Sequence, residues 1–372
     1  MSNEVKPDSY FMIGCMSGTS LDGIDIAYVK FTKGIEWAFQ ILASKTIGYN
    51  IDWKKKLSES DQLSPAALKI LNIEYTDFLG SLIVDFIAKE NIKLLDAVAS
   101  HGHTVFHQPE KDLTLQIGNS SHLADQIGWP VICDFRTQDV AMGGQGAPLV
   151  PMGDKMLFNN RRACVNLGGF SNISIFQNQT VLAYDICAVN TVLNFLANRL
   201  NLPYDGEGKI AEKGKIIPVL FEELARLSYY SKKPPKSLGV EWVNKKIFRI
   251  LDAHDKEDTQ DLIHTYTIHI AQEIAKCLPE EGSVLFTGGG AYNTFLVQAI
   301  QKKTNAKIDI PAPELVDFKE ALIFAFLGLL KLRGSVNCLA SVTGANQDHS
   351  TGKIFIPKSH IDSDSFYIGS PK

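Results

Sequence analysis

Twice in this 372-residue chain, an apolar strand-like run enters a turn of glycine and small polar residues and leaves it as a second such run. The first copy is residues 10–32, YFMIGCMSGTSLDGIDIAYVKFT, with Ser17, Gly18, Thr19, Ser20, Asp22 and Gly23 at its tip. The second is RACVNLGGFSNISIF at 162–176, with Gly168, Gly169, Ser171 and Asn172. Both read as β-hairpins. Glycine lets backbone approach a ligand closely, Ser and Thr hydroxyls can bond a phosphate, and Asp22 and Asp25 could hold a metal ion or its waters. An ordinary tight hairpin accounts for each turn as well, because Gly, Ser and Asp all favour turns. The repetition points to an architecture: a duplicated sheet-and-helix domain with a cleft between the copies.

The intervening sequence fits an α/β alternation with mixed strand directions. After the first hairpin come a strand at 41–49, helical spacing over 64–91, and a buried strand LDAVASHG ending in a loop. TLQIG and WPVICDF are short strands around a helix near 119–128. RTQDVAMGGQGAPLVP (136–151), rich in glycine and proline, reads as a crossover loop into the second unit. There the hairpin leads to a strand VLAYDI and a helix from about Asn190 to Leu200, and Pro234-Pro235 breaks the polar stretch 205–265. A helix at 258–278, the strand SVLFTGGG, a helix starting near Ala291, the strand KIDIP and the helix FKEALIFAFLGLLKL follow. The tail after 340 is expected to return to the first domain. The expected division is 1–134 plus about 345–372 against 135–344.

Composition narrows the function classes. A hydrophobic content of 45%, a charged content of 21% and a net charge of −4 describe a globular protein without the basic surplus of a nucleic-acid binder. No run of 18 apolar residues suggests a membrane span, and MSNEVKPDSY lacks the apolar core of a secretory signal. Six cysteines without a CxxC pair read as reduced, mostly buried thiols of a cytoplasmic protein, not as a disulfide frame or a zinc site.

A third glycine loop, VLFTGGGAYNTFL (284–296), runs strand, glycines, helix. Bare backbone and a helix N-terminus favour a polar ligand there, although a glycine-rich helix entry with no ligand fits too. Neither GxGxxG nor GxxxxGK[ST] occurs. Two strand–turn–strand loops, one from each half, plus a later strand–GGG–helix resemble the actin-like ATPase and sugar kinase superfamily. That resemblance implies two ribonuclease-H-like domains with an interdomain cleft, the first two loops on ATP phosphates and the third behind the adenosine.

The ordered motifs GCMSGTSLDGIDIAYV, SHGHTVFHQP, LQIG, VICDFRTQDVAMGGQGAPLVP, NLGGFSNIS, YDGEG, PKSLG, TGGGAYN, FKEALIFAFLG and VTGA run from residue 14 to about 345. They resemble the anhydro-N-acetylmuramic acid kinases. The resemblance implies an enzyme that opens the 1,6-anhydro ring of its sugar with water and phosphorylates the freed 6-oxygen from ATP. The product is N-acetylmuramic acid 6-phosphate, in cell-wall (peptidoglycan) recycling. ATP contacts fall on Gly18, Thr19, Ser20, Leu21, Asp22, Gly23, Ile24, Asp25, Gly168, Gly169, Gly288, Gly289, Gly290 and Asn293. Mg²⁺ is expected from phosphoryl-transfer chemistry, held through the phosphates and not by a dedicated ligand cage. A homodimer is implied, with neither a nucleic-acid nor a membrane partner.

The family's general base maps to Asp185, in VLAYDICAVN, where an aspartate could also cap the helix near Asn190. Arg136 is placed on the sugar's lactate carboxylate, a salt bridge with Asp134 or Asp139 being the competing role. Glu320 maps to the substrate pocket, with a plain helix-start glutamate as its alternative. His101, His103 and His107 could suggest a metal, but no matching acidic or cysteine ligands lie nearby in sequence, and the resemblance makes SHGHTVFHQP a substrate-side loop. Asp205 and Glu207 either contact ligands or fix a loop. The chain departs from the family pattern at Ile186-Cys187, where Thr-Gly is usual, and at His103, where Gln is usual. The first departure puts the backbone around Asp185 in doubt. Two competing functions are a kinase of another amino sugar and an actin-like ATP-switched binding protein.

Overall fold

The computed structural model describes residues 8–18, 21–177 and 180–361. Thr19 and Ser20 therefore lie outside the described residues. The chain divides into two compact units, Met1–Leu157 with Phe318–Lys372, and Phe158–Asp317. These boundaries differ from the expected 134 and 344. The glycine-rich stretch after Arg136 is not a crossover loop: it carries helices α2 (Thr137–Ala141) and α3 (Val150–Leu157) and belongs to the first unit.

In the first unit, β1 (Asp8–Ser17), β2 (Gly23–Lys33) and β3 (Trp37–Gly48) form an antiparallel meander. β4 (Ala97–Gln108) lies parallel to β1 on its other edge, and β6 (Val131–Cys133) lies parallel to β4. β4 does not end at Gly102 as expected but runs on to pair with β5 (Leu113–Ile117). From the tail, β12 (Lys353–Phe355) pairs with β6. β1 and the start of β4 are near-continuous apolar runs because helices cover both faces of the sheet. On one face, α1 (Pro65–Lys89) starts at Ser64, whose hydroxyl accepts the Ala67 N–H, with Pro65 in the first turn. The other face takes α7 (Pro313–Leu332), buried continuously over Ala321–Leu330, with Gly328 against Ala99. A Cβ on Gly14 would run into the Ala321 carbonyl, so strand and helix touch there through backbone.

The second unit repeats the plan. β7 (Ala163–Leu167), β8 (Phe170–Gln177) and β9 (Thr180–Ala188) form the antiparallel meander. β10 (Ser283–Thr287) lies parallel to β7, and β11 (Lys307–Asp309) parallel to β10. Its helices include α4 (Asn190–Asn198), α5 (Thr259–Cys277) and α6 (Thr294–Gln301). A meander, then a fourth and a fifth parallel strand beside the first, is the ribonuclease-H-like order in both sheets. Each sheet has its own apolar core. All six cysteines are free thiols, five of them buried. No helix among the described residues is long and apolar enough to cross a membrane.

Candidate active site

The first hairpin is held at its base by buried side chains. The Ser17 hydroxyl lies 2.7 Å from the Tyr49 hydroxyl and 2.9 Å from His103 Nδ1, and Tyr49 reaches Tyr75 at 2.6 Å. Gly18 accepts a bond from Leu21, which has a left-handed φ of 59°, and Asp22 is exposed at the tip. Gly23 pairs with Gly48 of β3, where a Cβ would meet the Ile47 carbonyl carbon at 2.9 Å. Ile24 turns its side chain into the core, so only its backbone can face a ligand. Half-buried Asp25 pairs across the sheet with Thr46, whose hydroxyl donates to Oδ1 at 2.5 Å.

Arg136 does not form the salt bridge with Asp134 or Asp139 that was its competing role. Asp134 pairs instead with Lys353 at 2.7 Å and takes the Thr137 hydroxyl. Arg136 Nε donates to His101 Nε2 at 2.9 Å and Nη1 to the Gly146 carbonyl at 2.7 Å. His101 Nε2 must therefore be the bare nitrogen, and Nδ1–H donates to the Gly102 carbonyl at 2.9 Å. Burial pushes the His101 pKa well down, helped by the guanidinium, so the ring is neutral. Burial also lowers Arg136 to about 10, against Glu320 and Asp139, which hold its charge. Glu320 is raised by burial, with Lys319 and Arg136 opposing the rise and Asp25 adding to it. In the first unit, Arg136, Glu320 and Asp25 thus share one electrostatic neighbourhood. Lys319, also buried, bonds Asp154 at 3.0 Å.

The histidines expected on a substrate-side loop lie on β4, each with its own partner. His103 meets Ser17, and His107 meets Thr114 at 3.2 Å. Burial holds His103 at about 4.

In the second unit the two remaining glycine loops converge. The Gly168 carbonyl accepts the Asn190 N–H, and the Gly169 carbonyl accepts Val189 N–H at 2.8 Å and Thr191 Oγ1–H at 3.0 Å. The hairpin is thereby stitched to the start of α4. Gly288, with φ 81° and ψ 162°, occupies backbone space essentially reserved for glycine, and a Cβ there would meet Leu167 at 3.0 Å. Gly290 packs on the same Leu167, and Asn190 Nδ2 reaches its carbonyl at 3.3 Å. Gly289 begins the short turn that follows. Asn293 is buried and spends Oδ1 on the Leu296 N–H as the cap of α6.

Asp185 lies in β9 opposite Asn172, while Cys187 pairs with Ser171. Ile186 is the extra residue of a β-bulge, a device that re-aims neighbouring side chains. Ile186 and Cys187 are buried in the core, and neither has a left-handed backbone, so the missing glycine leaves no strain. The helix cap is Val189, without a side-chain bond, and Asp185 Oδ2 instead accepts the Leu238 N–H at 2.9 Å. The Asp185 N–H bonds the Lys236 carbonyl, and Tyr229 Oη–H donates to the Asp185 carbonyl at 2.6 Å. Lys236 Nζ sits 4.7 Å from the Tyr229 ring centroid. PKSLG therefore clamps this carboxylate, a role its sequence did not disclose. Burial raises the Asp185 pKa, with the Leu238 bond opposing. Such a carboxylate suits proton abstraction. Asp205 fixes a loop, its carboxylate accepting the Ile210 and Ala211 N–H groups, and Glu207 pairs at the surface with Lys209.

The family model for anhydro-N-acetylmuramic acid kinase matches residues 10–357. A protein of that name from Bacillus cereus (strain 03BB102) is 31% identical over 93% of this chain and 99% of its own. Another from Francisella tularensis subsp. novicida (strain U112) is 32% identical over 92% and 98%. Among solved structures, a ligand-bound xylulose kinase from Lactobacillus acidophilus is 11% identical, with a TM-score of 0.41 over 94% of each chain. By the span of the family model and the identity of these full-length relatives, the chain belongs to the anhydro-N-acetylmuramic acid kinase family.

Proposed function

We infer that this protein is an ATP-dependent kinase that hydrolyses 1,6-anhydro-N-acetylmuramic acid and phosphorylates it to N-acetylmuramic acid 6-phosphate, in cell-wall sugar recycling. Family membership supports the activity. The observation that carries the chemistry is the bulge-set, clamped carboxylate of Asp185, raised by burial towards the range of a working base. Asp185 takes a proton from the water that attacks the anomeric carbon. The bond from that carbon to the 6-oxygen breaks, the 6-oxygen gains the γ-phosphoryl group, and ADP leaves. Atoms balance with one water and one ATP per sugar.

Gly18 to Asp25, Gly168 and Gly169 are the proposed phosphate contacts, and Gly288 to Gly290 with Asn293 the proposed adenosine support. Ile24 and Asn293 would act through backbone and loop shape, since their side chains are committed to the core and a cap. Arg136 has two donors engaged on His101 and Gly146, which orient its guanidinium for the lactate carboxylate; Glu320 would take sugar hydroxyls beside it. Mg²⁺ fits the acidic hairpin, where Asp22 and Asp25 would hold it through waters, since this ion keeps most of its shell and leans on substrate phosphates. It would neutralise charge developing on the phosphoryl oxygens. We further infer a cytoplasmic homodimer.

The test is coupled ADP release with the anhydro sugar, on wild type and Asp185→Asn. Activity on the anhydro sugar that Asp185→Asn loses is expected. Phosphorylation of an intact N-acetylhexosamine but not of the anhydro sugar would sink the reading, as would slow ATP hydrolysis indifferent to any sugar.

A further inference from the structure

A buried cluster in the first unit touches neither sugar nor nucleotide in the chemistry above, which Asp139 enters only as a charge near Arg136. Asp139 is distant in sequence from Cys338 and His349, yet the ligand atoms of the three all lie within 4.8 Å of one another. Cys338 and His349 face each other across an antiparallel bridge. Cys338 Sγ lies 3.1 Å from Asp139 Oδ1, and His349 Nε2 lies 3.5 Å from the same oxygen.

The histidine is the informative member. It is 6% exposed, and Nδ1 lies 3.0 Å from the Gln347 carbonyl, so Nδ1 carries the proton. Nε2 has no hydrogen-bond partner. This buried nitrogen lies 3.5 Å from a carboxylate oxygen without a hydrogen bond to it, and a cation between the two would engage both. A ring nitrogen donating to a backbone carbonyl, with the other aimed at a cysteine and a carboxylate, is how metal-bound histidine is normally oriented. Asp139 has the outer support of a ligating carboxylate as well, from Gly146 N–H at 2.6 Å and the Thr343 hydroxyl at 2.7 Å.

We propose that Asp139, Cys338 and His349 bind a zinc ion. One thiolate, one imidazole and one carboxylate suit this metal in softness, and with three protein ligands water takes the fourth position of the tetrahedron. Zn²⁺ with one thiolate, one carboxylate and a neutral imidazole sums to zero charge, which suits burial. On binding, the Cys338 S–H proton is released to solvent and the sulfur–zinc bond replaces it. Without the ion, burial and the neighbouring Asp139 carboxylate hold that thiol protonated. The ion would load as the chain folds, tying the 337–351 segment to α2, the helix that Arg136 precedes.

The experiment uses full-length, tag-free protein refolded with Zn²⁺ and dialysed without chelator, its metal measured by mass spectrometry. Close to one zinc per chain is expected, and Cys338→Ser and His349→Gln should each lower zinc affinity by at least about 10–100-fold, the loss that changing an outer-shell partner already causes. Replacing zinc by Co²⁺ should give a thiolate-to-cobalt charge-transfer band in wild type, a readout needing no variant. A wild type that stays metal-free, zinc kept undiminished by both variants, or ¹⁵N shifts showing both His349 nitrogens protonated would each overturn the proposal. None of these readouts depends on kinase activity.

Discussion

The two hairpins that repeat in the sequence close sheets of the same strand order, yet they are secured by opposite means. The first rests on buried side chains, a line of hydroxyls from Ser17 through Tyr49 to Tyr75 with His103 alongside. The second is held mainly by backbone, its carbonyls accepting N–H groups at the start of α4. A backbone anchor tolerates most substitutions, because every residue but proline supplies it. A side-chain anchor does not. The same loop shape therefore carries a tighter sequence requirement in the first unit than in the second.

The largest effect belongs to the second unit. Asp185→Asn should lower kcat by about 10²–10⁴-fold in the ADP-release assay, the usual worth of a positioned base. Wild-type kcat/KM should also fall with acid, with a midpoint above the ordinary aspartate range, because burial raises this carboxyl. That rise favours the protonated form in the folded state. Its stabilisation is full below the unfolded pKa, about 3.9, and is lost as pH rises through the folded value. Asp185→Asn should therefore keep or raise the melting temperature at pH 7. A melting temperature that drops there would recast Asp185 as a structural residue.

Glycine substitutions sharpen the contrast between the hairpins. Gly23→Ala drives its Cβ at the Ile47 backbone and should cost about 1–3 kcal/mol in denaturant unfolding. Gly169→Ala meets only the Thr191 hydroxyl, at 2.9 Å, and should cost clearly less; equal losses would break the comparison. Tyr75→Phe removes one end of the buried hydroxyl line and should cost about 0.5–1.5 kcal/mol. Thr191→Val, which leaves the backbone bonds to Gly169 in place, should stay within about 0.5 kcal/mol.

Much of this was legible from local pattern. The paired hairpins, the helix within 64–91 and the strand–GGG turn followed from periodicity and turn chemistry. The helices Thr137–Ala141 and Val150–Leu157 were hidden, because glycine and proline density around them imitates a loop. β4 runs past Gly102 only because β5 is there to receive it. The role of PKSLG was equally invisible: Leu238 meets Asp185 across 53 positions, and no local rule registers a contact at that range.

Apolar periodicity and the glycine turns were enough to determine two sheet-and-helix units and their three glycine loops, since both follow from backbone sterics and burial within a few neighbouring residues. Which carboxylate is clamped and which is a cap, that Arg136 leans on His101, and that Asp139 gathers Cys338, Thr343 and His349 were decided by the tertiary structure alone. Hydrogen bonding and desolvation depend on distances in space, and only the folded chain sets those.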